Sequence, residues 1–233
     1  MEFRVAAAKV GKYATSESGD TLEMIERPSG GLSFVLADGQ RSGKSAKAIS
    51  NVVTRKAISL LADGVRDGAA ARAASDYLFT YRSGKVVATL NILSVDLASR
   101  SLVITRNNPA PVVLIDDSKI RTLDSPSEAV GSRQNIRPSI CEVPLNLGLT
   151  AIVFTDGLVH AGDRRGRPMQ IIGCVQELLD DELVDPLLWA NHLLDVAVEL
   201  DDGRPSDDIS VLVGTVLPRS EKQNRLLTVS MPL

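Results

Sequence analysis

Aromatic side chains are scarce in this chain: Phe, Trp and Tyr together make up 3% of 233 residues, with a single tryptophan, Trp189. Surfaces that bind single-stranded nucleic acid stack bases on aromatic rings, so the scarcity argues against such a partner. A surplus of positive charge is lacking as well. The formal net charge is −3, which gives neither a nucleic-acid footprint nor a membrane-attracting surface. Cysteine is limited to Cys141 and Cys174. Each sits in an apolar setting without metal-ligand spacing, and both are expected to be reduced core thiols. No apolar run approaches the ~18 residues of a membrane span, and the opening Met1-Glu2-Phe3-Arg4-Val5 lacks the pattern of a secretory leader. The expectation is a cytoplasmic protein with no nucleic-acid or membrane partner.

What is present is ordinary for a globular domain: 44% hydrophobic and 24% charged residues, in a chain long enough to bury a sizeable core. Repeats, low-complexity tracts and linkers are not evident. The reading is one domain over 1–216 and a tail over 217–233, which either adds an edge strand at 225–231 or stays disordered.

Residues 3–10, 21–26 and 32–37 read as strands joined by turns, an antiparallel start. Helical spacing of apolar residues then predicts helices over 42–63 and 69–79, which a short link places antiparallel on one face of a sheet. From Val86 the period changes. Strands are expected at 87–95, 101–105, 112–115 and 119–123, a β-meander, followed by 139–143 and 149–154. Two later helices, 169–179 and 186–200, precede a last strand at 209–216, and Pro186 suits a first-turn position. This order predicts an α+β fold, a four-layer αββα sandwich of two antiparallel sheets flanked by helix pairs.

The functional signal lies where strands end. Leu36-Ala37-Asp38-Gly39 and Phe154-Thr155-Asp156-Gly157 repeat one arrangement: apolar strand, carboxylate, glycine. Asp207 and Asp208 introduce the last strand, and Asp20 follows Ser18-Gly19 where the second begins. Asp-Gly also occurs at 63, 67 and 202, where turn chemistry explains it. If the strand-end aspartates converge, two carboxylates ~5 Å apart repel by roughly 3 kcal/mol at an effective dielectric of ~20. Several together need cations or raised pKa values. Hard oxygen ligands without His or Cys select Mg²⁺ or Mn²⁺. A bridging carboxylate would hold two such ions ~3.5–4 Å apart around a shared water, which suits in-line attack on a phosphate ester. Gly39 would let its own carbonyl approach a metal.

These motifs resemble the metal-dependent Ser/Thr protein phosphatases of type 2C, the PPM family, in their bacterial SpoIIE/RsbU/RsbX-like branch. RsbX is the member most similar in size and layout. The resemblance rests on Ser18-Gly19-Asp20, Ala37 through Ala46, Ala88-Thr89, Phe154 through Leu158, and Asp207 through Val211, in family order. It implies that Asp38 bridges two metals, with the Gly39 carbonyl on the second and Asp20 supporting that ion. Asp156, Asp207 and Asp208 are implied at the first metal, Asp207 matching better as ligand and Asp208 as its neighbour. Asp38, Asp156 and Asp207 are thereby the implied catalytic residues. The implied cofactor is a pair of Mn²⁺ or Mg²⁺ ions. The implied partner is a phosphorylated regulatory protein of the STAS type, an anti-anti-sigma or stressosome-like protein.

Two positions depart from the pattern. Arg41 stands where the family has a glycine and is a candidate phosphate contact. His160 replaces a commonly acidic residue, where it either bonds locally or weakens a third metal site. The loop 106–111 replaces a Gly-His-type loop, and nothing beyond a turn is read from it. Two other readings compete: a catalytically silent scaffold of the same fold, and a P-loop nucleotidase suggested by Asp38 through Lys44-Ser45, which matches Gly-x4-Gly-Lys-Ser except at its first glycine. In the second, Asp38 at the first cradle position would oppose the phosphates, and the meander would not give a parallel sheet. Outside that reading Lys44 and Ser45 face solvent, and His192 and Trp189 are surface and packing residues.

Overall fold

Strands buried on both faces read as continuous apolar runs, and the segment around Phe34 does so because it lies inside a layered stack. The structure is a computed structural model and describes residues 1–180, 184–219 and 225–230. In chain order the elements are β1 (Glu2–Val10), β2 (Asp20–Glu26), β3 (Gly31–Gly39), α1 (Gly43–Ala62), α2 (Asp67–Tyr81), β4 (Ala88–Asp96), β5 (Ser101–Asn107), β6 (Val112–Asp116), β7 (Lys119–Leu123), β8 (Ser139–Pro144), β9 (Thr150–Phe154), α3 (Asp156–Val159), α4 (Ile171–Asp180), α5 (Pro186–Leu200) and β10 (Ile209–Leu217). They build two five-stranded sheets, β1-β10-β9-β6-β7 and β2-β3-β4-β5-β8. The strand pairings are antiparallel.

Alternation along β3 shows how the layers form. Phe34 and Leu36 point between the sheets, where they join Leu93, Leu114, Val153 and Leu212. Val35 and Ala37 point the other way, onto Val53, Ala57, Leu61 and Ala74 of α1 and α2. On the far side, Phe154 and Val211 pack with Trp189 and Leu193 of α5. The four-layer αββα order is the one expected. Pro186 occupies the first turn of α5, and Asp185 caps it by accepting from the amides of Leu187 and Leu188.

Connectivity differs from the expectation in two places. β1 pairs with β10, not with its sequence neighbour β2. The polar loop after β1 is committed elsewhere: the Lys12 amide donates to Asp208 Oδ1 and the Tyr13 amide to the Pro205 carbonyl. The expected meander also divides between sheets, with β4 and β5 in one and β6 and β7 in the other. The crossing is the 106–111 loop. Buried Arg106 holds it there, donating to the carbonyls of Asn108 and Ser125, while Asn108 Nδ2 donates to the Phe154 carbonyl of the opposite sheet. That loop is therefore an inter-sheet tie and more than a turn.

The start of α2 is pinned by a buried pair. Arg27 contacts Asp67 at 3.2 Å, and Asp67 also accepts from Ser94 on β4. Cys141 and Cys174 are free thiols, half-buried at the edge of the core and not within it. Among the described tail residues, 225–230 are exposed and form no strand; 231 lies outside the described residues. No described helix is long and apolar enough to cross a membrane.

Candidate metal centre

Strand register brings the aspartates together. Asp20 lies opposite Asp38 across β2 and β3. In the other sheet β9 runs antiparallel to β10, with Phe154 opposite Val211, so Asp156 and Asp207 meet at one end of that pair. Hydroxyls join the two sheets at this point. Thr155 Oγ1 and Ser210 Oγ both donate to Asp20 Oδ2, at 3.0 and 2.6 Å, and the Ser210 amide donates to Thr155 Oγ1. Above them opens a cleft of about 330 Å³ whose lining includes Lys12, Asp38, Gly39, Arg41, Thr89, Asp156 and Asp207.

The glycines beside these aspartates are set by backbone crowding. A Cβ on Gly39 would stand 1.9 Å from the Ala46 carbonyl oxygen, and one on Gly157 would stand 2.1 Å from that of Asp208. Gly39 thus lets α1 close onto the strand end, a packing reason that is independent of any ligand. Asp156 opens the short helix α3.

Electrostatics make the cleft a demanding place for anions. Burial, then the charges of Asp20 and Asp156, push the Asp38 carboxyl up to about 9. Burial pushes Asp20 up to about 6, opposed by the hydroxyl of Ser210 and by Lys9. Asp207 is raised, again chiefly by burial. The Oδ1 atom of Asp20 is buried and has no hydrogen-bond donor. Such an atom costs free energy unless something positive meets it.

A hard divalent cation fits this donor set. Asp20, Asp38, Asp156, Asp207 and the Gly39 backbone offer oxygen only, and the described lining holds neither histidine nor cysteine. Among the described residues no three such groups converge tightly enough to enclose an ion by themselves. Open coordination completed by water is characteristic of Mg²⁺.

Asp207 and Asp208 divide their work. Asp207 faces the cleft, with Lys12 Nζ 3.8 Å away. Asp208, named beside it as a metal ligand, instead spends both oxygens on amides, Oδ1 on Lys12 and Oδ2 on Gly19. It ties β10 to the loop that carries Asp20. Arg41 is exposed at the cleft mouth with φ of +78°, a left-handed conformation that disfavours any side chain. His160 is exposed and bonds locally, Nδ1 to Asp163 Oδ2 at 3.0 Å.

The hydroxyls of Thr155 and Ser210 and the ammonium groups of Lys9, Lys12 and Lys47 were not singled out from the sequence. Period-2 spacing offers one signal: Ser210 stands two residues after Asp208, near the start of a mostly apolar strand. The P-loop reading fails on the sheets, which are antiparallel, and on Lys44 and Ser45, which are exposed.

An antiparallel αββα sandwich with aspartates at the facing strand ends defines a class, the type 2C or PPM phosphatase domain. The sequence profile of the family described as Stage II sporulation protein E (SpoIIE) matches residues 28–216. The chain belongs to the SpoIIE family. Comparison with curated protein sequences gave no match. Among solved structures, the phosphatase domain of SpoIIE from Bacillus subtilis, with a fragment of its regulatory domain, superposes with a TM-score of 0.79 at 18% identity. The match covers 93% of this chain and 64% of that one, so this chain spans less than two thirds of that structure's length. RsbX in complex with magnesium gives 0.69 at 15% identity, covering 92% of this chain and 95% of RsbX. The catalytic domain of the Ser/Thr phosphatase PstP with two manganese ions gives 0.70 at 17%, covering 93% and 99%. At these identities the likeness is one of fold.

Proposed function

We propose that the chain is a metal-dependent protein phosphatase that hydrolyses phosphoserine or phosphothreonine, with 1–216 as its catalytic domain. The observation that carries the reading is the cleft between two sheets where Asp38, Asp156 and Asp207 face one another beside buried Asp20, within the fold of the PPM class. Asp38 would be shared by two Mn²⁺ or Mg²⁺ ions. Asp156 and Asp207 would hold one of them, and the Gly39 backbone with Asp20 the other. Bound divalent ions supply Lewis-acid charge and lower the pKa of a coordinated water.

This chain's own residues do the rest. Thr155 and Ser210 fix the Asp20 carboxylate in one orientation by donating to its Oδ2. Asp208 locks the loops that carry Lys12 and Asp20. Lys12 and Arg41 line the cleft as cations able to receive a phosphate. The relatives include SpoIIE with its regulatory domain and an RsbU domain found with an RsbW domain in one Mycobacterium tuberculosis protein. By analogy the substrate is a phosphorylated STAS-type regulatory protein, acting in cytoplasmic stress or sigma-factor signalling.

The test is hydrolysis of a phosphoserine peptide and of a small aryl phosphate with EDTA, Mg²⁺ and Mn²⁺ in turn, beside Asp38→Asn. Turnover that requires one of the metals and disappears in Asp38→Asn is expected. Metal binding without turnover would instead identify a silent scaffold of the same fold.

A further inference from the structure

Asp20 meets carboxylates on its cleft side, and cations approach its backbone. Lys9 on β1 donates to the Asp20 carbonyl oxygen at 2.5 Å, and Lys47 on α1 donates to the same oxygen at 2.6 Å and to Thr21 Oγ1 at 3.0 Å. β1 belongs to one sheet, whereas α1 covers the other. Two ammonium groups therefore come from opposite layers to a single carbonyl oxygen. Like charges so placed repel, and the arrangement holds only where nearby negative charge outweighs that repulsion. Asp20 and Asp208 supply it. Ser50 completes the grip from α1, donating to the Gly19 carbonyl at 2.5 Å and sharing a 2.7 Å contact with Thr21 Oγ1.

Among the described residues neither lysine takes a carboxylate as its hydrogen-bond partner: both donate to the Asp20 carbonyl, and Lys47 also to the Thr21 hydroxyl. Asp20 Oδ1 remains without a donor. The two charges thus act on the cluster through space and leave Asp20 Oδ1 open.

We propose that Lys9 and Lys47 are resident counter-charges, positioning residues that hold the carboxylate cluster together without metal and hold its metal affinity down. This rests on the metal-dependent reading above. Its physical content is a competition. The same positive charge that offsets crowded carboxylates opposes a divalent cation. A purely structural clamp has the opposite signature, because loosening Asp20 would weaken metal binding.

Lys9→Gln and Lys47→Gln remove the charge and retain an amide donor, and Lys47→Arg retains the charge. The full chain of each is melted in EDTA and titrated with Mn²⁺ by calorimetry, beside wild type and Asp38→Asn. The glutamine variants should melt lower in EDTA yet bind Mn²⁺ about threefold to tenfold more tightly, with Lys47→Arg near wild type. Unchanged or weaker Mn²⁺ binding in the glutamine variants, with wild-type binding that depends on Asp38, would overturn this proposal alone. Wild type that binds no Mn²⁺ would overturn both it and the reading of the centre. If Lys47→Gln does not fold, Lys9→Gln, which leaves α1 intact, is read by the same criteria.

Discussion

The two long helix pairs occupy equivalent places on the sandwich and carry opposite charge. α1 bears Lys44, Lys47, Arg55 and Lys56 and no carboxylate. α4 and α5 bear Glu177, Asp180, Asp195 and Glu199 and neither lysine nor arginine. The difference follows what each touches. α1 rests on the carboxylate cluster: its Ala46 carbonyl crowds Gly39, and Lys47 and Ser50 hold the segment from Gly19 to Thr21. α5 packs apolar side chains, Trp189 foremost, on the first sheet. Its reach toward the site comes from Asp201, just beyond its end, which accepts from the amides of Gly162 and Ser206. One pair is part of the site's electrostatics, and the other supports the sheet on which half the site stands.

Breaking each pair at a buried anchor separates those roles. Asp67→Ala strands Arg27 without its buried partner and should cost about 3–5 kcal/mol. Trp189→Ala opens a cavity in the second pair at a similar cost of about 3–5 kcal/mol. Denaturant melts measure both. Mn²⁺ affinity of the folded fraction discriminates between them: Trp189→Ala should leave it unchanged, whereas Asp67→Ala, at the base of the pair that grips Asp20, should alter it. A smaller effect sharpens the comparison at the cleft mouth. Arg41→Gly relieves the left-handed strain and should stabilise the fold by roughly 1 kcal/mol, while raising KM for a phosphopeptide if the guanidinium receives phosphate.

Most of the fold was legible in the sequence because both periodicities are strong. The apolar stripe from Ala46 to Leu61 marked α1, and Pro186 marked the start of α5. Partner choice between strands was not legible. Nothing local to β1 says that it pairs with β10, since the decision rests on loop contacts about 200 residues away in sequence, such as Lys12 to Asp208. The site divides in the same way. Asp38 and Asp156 announce themselves by ending apolar strands at a glycine. Asp207 and Asp208 were told apart only by resemblance, and the amides of Lys12 and Gly19 supply the physical reason by occupying both oxygens of Asp208. Lys9 and Lys47 look like ordinary surface lysines until the sheets stack.

The cleft is a cluster of carboxylates whose mutual repulsion divalent cations would relieve. Burial raises Asp38 to about 9 and Asp20 to about 6. The folded state therefore binds more protons than the unfolded chain between the ordinary carboxylate value and those folded values. By linkage, its stability falls as pH rises through that window. Thermal melts in EDTA from about pH 5 to about pH 8, repeated with saturating Mn²⁺ and with Asp38→Asn, test this directly. The account predicts a melting temperature that declines with pH in EDTA, with the decline reduced both by Mn²⁺ and by Asp38→Asn. A melting temperature indifferent to pH, metal and Asp38 would contradict it.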